Sequence, residues 1–254
     1  MLDAKRLLDQ FLGGGQPGSG TTSGQGLGGQ GLGGQGGGGL DQALGGIGKH
    51  LGGFGGGAAI GGLAGLLLGG KSGRKLAGTA LQVGGVAVLG GLAYKAYRDW
   101  QAGKQPVSTP PQQVSTPMLP APTDTPFNPS SEADQQALSR HLLRAMIAAA
   151  KADGHIDATE QASIFARIDA LPLAADDKAF VVDELRAPLD VDAVARAART
   201  PEEAAEIYAA SLLAIDVDNA AERGYLAMLA ARLKLDDALV QHLHANIAAV
   251  TQKA

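Results

Sequence analysis

Glycine divides this chain in two. Of its 38 glycines, 36 lie at or before Gly103, and only Gly154 and Gly224 follow. Each glycine inside a helix in water costs about 1 kcal/mol relative to alanine. The first hundred residues therefore do not read as an ordinary helical core in water, whereas the remainder does. Eight of the 12 prolines fall between Pro106 and Pro129, in a tract of Pro, Thr, Ser and Gln that is almost uncharged. Such a tract favours extended conformations and acts as a semi-rigid tether. From about Ser130 to Ala254 the chain is rich in Ala, Leu and charge, and long enough to bury a modest core. Length and composition together predict one folded domain.

The glycine-rich part has its own organisation. Residues 1–12 read as a short amphipathic helix with Leu8, Phe11 and Leu12 on one face. No long apolar core or cleavage site follows Lys5 and Arg6, so the segment is not read as a secretory signal. Residues 13–53 form a Gly-rich, low-complexity segment in which Gly-Leu-Gly-Gly-Gln recurs from Gly26 and from Gly31. The stretch Gly13 to Gly39 lacks the apolar surface to offset its chain entropy and is predicted to be disordered.

Residues 54–103 are predicted to be a membrane segment. Phe54 to Gly70 carries no charge, and Leu76 to Tyr94 offers 19 uncharged residues, about the length that spans a hydrocarbon layer. Lys71, Arg74 and Lys75 lie between the two runs. Tyr94, Lys95, Tyr97, Arg98 and Trp100 at the end of the second suit a headgroup layer. Gly57, Gly61, Gly65 and Gly69 repeat every four residues, and Ala80/Gly84 and Ala87/Gly91 continue the small-xxx-small pattern that lets membrane helices approach. The segment is either a hairpin of 54–70 and 76–94 or a single span over 76–94. The 104–130 linker would then hold the final domain away from the lipid.

That domain, 131–252, shows helical periodicity throughout. Leu138, Leu142, Ala145, Met146 and Ala149 share a face, as do Ile164, Phe165, Ile168 and Leu171. Phe180, Val181 and Leu185 form a third apolar face that stops near Pro188, and Val191, Val194 and Ala198 a fourth. Thr200-Pro201-Glu202-Glu203 reads as a helix start, with Thr as cap and Pro at the first position. It opens a helix carrying Ile207, Tyr208, Leu212 and Ile215. Tyr225, Leu226, Leu229 and Leu233 continue on another face, and Asp236 can cap a last helix with Leu239, Val240, Leu243 and Ile247. No window alternates like a strand. The fold class is all-α, a bundle of about seven short helices.

Chemistry, if present, belongs to two acidic turns. The first contains Asp153, Asp157 and Glu160, and the second Asp216, Asp218 and Glu222. They suggest an internal duplication whose carboxylates could meet and hold Ca²⁺, Mg²⁺ or Mn²⁺, the hard cations that oxygen donors favour. The spacing is not that of an EF-hand, because Gly154 directly follows the first Asp and Glu222 comes only six residues after Asp216. Capping offers a competing account. Asp157-x-x-Glu160 and Asn219-x-x-Glu222 resemble capping boxes, and Gly154 could supply the left-handed turn that ends the preceding helix. Capping does not explain Asp153, Asp216 and Asp218. His155 reads as an exposed turn residue, and His141, His242 and His244 have no evident partners in the sequence. Ser211, Tyr208 and a histidine could form a triad on paper, but nothing like a nucleophile elbow surrounds Ser211. No catalytic residue is assigned. The absence of cysteine excludes disulfides, thiolate metal sites and Cys nucleophiles.

The residues around these turns resemble a known family. Met146 to Glu160, Pro188-Leu189-Asp190, Glu206 to Asp216 and Glu222 to Leu226 together look like the YebE-type bacterial inner-membrane proteins of the tellurite-resistance TerB-like superfamily. The likeness covers about Glu132 to Val250, and Leu7 to Gly13 is also similar. It implies an all-helical, internally duplicated domain, a metal site at the acidic turns and no known catalytic activity. By analogy it also implies the bacterial inner membrane, with the domain on the cytoplasmic side. The second turn departs from the family pattern by having Asp216-Val217-Asp218 in place of Asp-Gly.

The domain from Ser130 onward carries 20 acidic and 12 basic residues, a net of −8, which argues against nucleic acid as a partner. The expected function is a membrane-anchored, non-enzymatic helical module. It would bind a divalent cation or a partner protein in an envelope or stress response. The alternative is a structural scaffold that forms homo-oligomers through its glycine-spaced membrane segment and has no metal site.

Overall fold

The computed structural model describes residues 3–13, 85–106, 121–152, 154, 165, 174–215, 217 and 219–251. Among these the secondary structure is helical, with a lone bridge between Thr125 and Asn128 and no strand. The helices are α1 (Ala4–Gly13), α2 (Gly85–Gln101), α3 (Glu132–Ala150), α4 (Ala175–Arg186), α5 (Val191–Arg196), α6 (Pro201–Leu213), α7 (Ala220–Arg232) and α8 (Asp237–Thr251). The all-α expectation is met. The helix expected around Ile164, Ile168 and Leu171 lies outside the described residues apart from Phe165, and so does the apolar run Phe54 to Gly70.

Helix starts follow the local chemistry. Thr200 Oγ1 accepts the Glu203 amide N–H at 3.1 Å, with Pro201 at the first helical position. Asp190 Oδ1 accepts the Ala193 N–H at 2.8 Å, Asn219 Oδ1 the Glu222 N–H at 2.8 Å, and Asp236 Oδ1 the Ala238 N–H at 2.8 Å. Each satisfies an amide that the helix itself leaves unpaired.

Helix α6 occupies the centre. From Glu203 to Leu213 every one of its residues is buried. A helix apolar on all sides must be surrounded, and α6 is covered by α2, α3 and α8, with α5 and α7 also against it. Ala204, Ala205, Ala209 and Ala210 keep its surface narrow, which lets neighbours approach closely.

One of these neighbours of α6, helix α2, comes from the glycine-rich half. Helix α2 contains the second part of the run expected to cross a membrane. Its Val88, Leu89, Leu92, Ala93 and Ala96 are buried against protein, facing α6, α8 and α1. No helix among the described residues is long and apolar enough to cross a membrane. The aromatic and basic residues expected at a headgroup layer are also engaged within the protein. Tyr94 and Tyr97 both meet the Phe127 ring edge-on at 5.6 Å, and Trp100 Nε1 donates to Asp236 Oδ1 at 3.2 Å. Lys95 and Lys104 both hold Asp99 at 2.7 Å. The reason for the difference is that residue period and length describe an apolar helix equally well in lipid and in a protein core.

Residues 121–128, expected to belong to an extended tether, form a compact turn. Thr125 Oγ1 donates to the Pro122 carbonyl at 2.7 Å, Asn128 Nδ2 to the Ala121 carbonyl at 3.1 Å, and the Asn128 N–H to the Thr125 carbonyl at 2.9 Å. This turn delivers Phe127 into the core. Gly90 is where it touches α2. A Cβ built there would lie 2.5 Å from the Phe127 carbonyl oxygen, closer than atoms can approach. The glycine is needed for contact between two stretches of backbone in the protein.

Helix α1 forms as expected, and Leu8 of its expected apolar face is buried. Ala4, Leu7 and Leu8 are buried, against α3 and α2, whereas the side chains of Phe11 and Leu12 lie outside the described residues. Its position is pinned by Asp3. The Asp3 N–H donates to Asp177 Oδ1 at 2.6 Å, and Asp3 Oδ1 accepts from Gln136 Nε2 and from the Arg6 N–H at 3.0 Å each.

Two substitutions test this architecture. Gly90→Ala in an exposed helix would gain about 1 kcal/mol, but overpacking here is expected to cost about 1–3 kcal/mol. Urea denaturation should therefore show a net loss of stability. Leu89→Ala, which leaves a hole in the core, should lower stability by about 2–5 kcal/mol in the same measurement.

Candidate functional site

Five of the six carboxylates expected at the acidic turns, Asp153, Asp157, Glu160, Asp216 and Asp218, lie outside the described residues, as does His155. Glu222 is described. It sits buried in the first turn of α7, directly above the Asn219 cap. Gly154 has φ +72° and its N–H donates to the Lys151 carbonyl at 3.0 Å, the left-handed turn expected after α3. Lys151 itself turns away to the end of α4, where Nζ donates to the carbonyls of Glu184, at 3.0 Å, and Ala187. Among the described residues no three His, Asp or Glu side chains gather as a metal site would require.

A different acidic feature occupies the middle of the bundle. Glu203 and Glu206 lie one turn apart on α6. Glu203 Oε1 accepts from His141 Nδ1 of α3 at 2.6 Å, and its Oε2 accepts the Arg199 N–H at 2.9 Å. Burial alone would raise its pKa. The His141 and Arg199 hydrogen bonds outweigh that and hold the carboxyl below its ordinary value. Glu206 is the opposite case. It is 0% exposed, and among the described residues neither carboxyl oxygen has a hydrogen-bond partner. Burial, and then the field of Glu203, push its pKa well above the ordinary value. Motif spacing does not single out Glu206, yet the sequence carries a signal for it. It is the one charged residue in the apolar run Ala204 to Ile215, and a helix with no polar face must bury it.

The histidines without evident partners in sequence all acquire them. Besides the His141 contact, His242 Nε2 pairs with the Lys104 carbonyl at 3.0 Å and His244 Nε2 with the Tyr208 hydroxyl at 2.9 Å. Burial pushes Tyr208 up to about 12 and His244 below its ordinary value. The Ser211 hydroxyl points elsewhere, donating to the Ala145 carbonyl at 3.3 Å within the core. The three residues of the paper triad therefore do not converge. Tyr208 and His244 border an open groove of about 450 Å³ lined largely by Val217, Leu226, Ala230, Leu235 and Val240.

Replacement of Glu203 has a predictable pH signature. Because its folded pKa is depressed, its stabilisation is fully present above the ordinary value of 4.5 and fades as pH falls through the lower folded value. Glu203→Gln should lower stability at neutral pH by roughly 1.5–3 kcal/mol, the scale for hydrogen bonds to a charged group. It should also flatten the acid-side decline in a series of urea midpoints below about pH 4.5.

Comparison with known proteins gives a family without a function. The family described as "Protein of unknown function (DUF533)" matches residues 53–247, which is most of the chain, and the chain belongs to it. It is 35% identical over 96 residues to a protein of Yersinia enterocolitica described as "Uncharacterized protein in ampR 5'region", a match covering 38% of this chain and 69% of that protein. No solved structure matches.

Proposed function

We propose that this DUF533 member is a TerB-like, non-enzymatic binding module similar to the YebE-type proteins. In this reading it is held at the bacterial inner membrane with its bundle in the cytoplasm. Its acidic turns take up a divalent cation of the Ca²⁺, Mg²⁺ or Mn²⁺ class, and the bundle meets a partner protein in an envelope or stress response. The observation that supports the cation is the way the helix ends are already served. Asn219 caps α7 through the Glu222 N–H, and Gly154 makes the turn after α3. Capping thus gives no reason for Asp153, Asp216 and Asp218, whose oxygens are the right donors for hard cations.

The anchor in this reading falls on residues 54–84. Phe54 to Gly70 and Leu76 to Gly84 are uncharged, and the run becomes part of the bundle from Gly85 onward. The non-catalytic reading draws support from Ser211, whose hydroxyl is committed to a backbone carbonyl in the core.

Calorimetric titration of the whole chain in detergent, after treatment with a chelator, tests the cation. At least one of Ca²⁺, Mg²⁺ and Mn²⁺ should bind with a Kd below millimolar, and Asp153→Ala with Asp216→Ala should weaken it at least tenfold, about 1.4 kcal/mol. Absence of sub-millimolar binding by all three, or binding indifferent to the double substitution, would overturn the reading. A shortened chain of 130–254 is the wrong reagent, because removing α2 exposes the face of α6 that α2 covers.

A further inference from the structure

Glu206 has two properties that rarely coexist in a stable core. Both oxygens are sealed from water, and both lack a donor among the described residues. An ionised carboxylate left so is costly, whereas the neutral acid loses far less. The seal over it is made by backbone: a Cβ on Gly90 would lie 3.2 Å from Glu206 Oε1 and 2.5 Å from the Phe127 carbonyl oxygen. Helix α2 and the 121–128 turn are therefore the cover, and both join the bundle from outside α3–α8.

We propose that Glu206 is a proton-controlled latch: as the neutral acid it permits α2 and the 121–128 turn to close over α6, and loss of its proton releases them.

The charged groups on the surrounding elements leave Glu206 to itself. On α6, Glu203 adds a negative field that disfavours a second charge. On α3, His141 is committed to Glu203. On α2, Lys95 holds Asp99, Arg98 lies over the Tyr94 ring, and Glu202 acts on Tyr97. On α8, His242 faces the Lys104 carbonyl and His244 the Tyr208 hydroxyl. On α5 and α7, Arg196 pairs with Asp190 and Arg232 with Asp192. On α1, Lys5 pairs with Asp9. The sign follows from the raised folded pKa. With the latch open, Glu206 meets water and ionises near its ordinary value of 4.5. Above that value the closed form binds more protons than the open form, so closure weakens as pH rises until the folded pKa is reached.

The single tryptophan, Trp100, lies on α2 and reports closure in the whole chain. Acrylamide quenching of its fluorescence between about pH 5 and 9 measures the opening of α2. In the natural chain the opening constant should rise by up to about tenfold per pH unit, the limit for one proton. Glu206→Gln and the apolar, similarly sized Glu206→Met should both be flat over the same range and more closed at its alkaline end. If one variant fails to fold, the other carries the comparison. A flat profile in the natural chain, or the natural slope retained in the variants, would falsify the latch.

Discussion

A helix that is apolar on all sides leaves a protein few choices. Helix α6 buries every residue from Glu203 to Leu213, so neighbours must close around its whole circumference. Helices α3, α5, α7 and α8 supply much of that cover, and α2 supplies another side. Full burial of a Leu or Val side chain is worth about 1.5–3 kcal/mol. The Val88, Leu89 and Leu92 face of α2 is therefore a substantial part of what holds this bundle together. Helix α1 depends on the same arrangement, since Ala4, Leu7 and Leu8 are buried against α2 and α3. The residues matched by the family description begin at 53 and run through α2 into the C-terminal helices, which agrees with one structural unit spanning the proline-rich stretch.

The same constraint explains two local oddities. Glycine in α2 reads as weakness when the helix is considered alone, yet Gly90 is the point where the Phe127 carbonyl meets the helix backbone. Glutamate in α6 reads as an error in an apolar core, yet its position under that contact places a titratable group at the seam between the glycine-rich half and the rest. Glu203, one turn earlier, shows what a partnered carboxyl does in nearly the same place. With His141 and the Arg199 amide it stays ionised to low pH, whereas Glu206 without partners favours its neutral form.

Much of the fold was legible in sequence because it rests on local chemistry. The Thr200-Pro201 start, the Asn219 and Asp236 caps, the Gly154 turn and the apolar faces of α3 and α5 need only neighbours within a few residues. What was not legible depends on distant contacts. Nothing local distinguishes a 19-residue uncharged run that enters lipid from one that completes a protein core, and α2 is of the second kind from Gly85 onward. Nor does spacing reveal that Phe127 folds back over Gly90, or that His141, His242 and His244 each find a partner on another element. Of the carboxylates read as a cation site, Glu222 is seen buried at a capped helix start, and the other five lie outside the described residues.

The central claim is that residues 85–101 are a helix of this bundle. Native-state hydrogen exchange on the whole chain tests it most directly, because amides that open together belong to one cooperative unit. At about pH 5, where Glu206 keeps its proton and α2 is closed over α6, the α2 amides around Leu89 and Leu92 should be protected strongly, and should open in step with those of α6. Exchange of α2 at the rate of an unstructured chain, while α6 remains protected, would contradict the account.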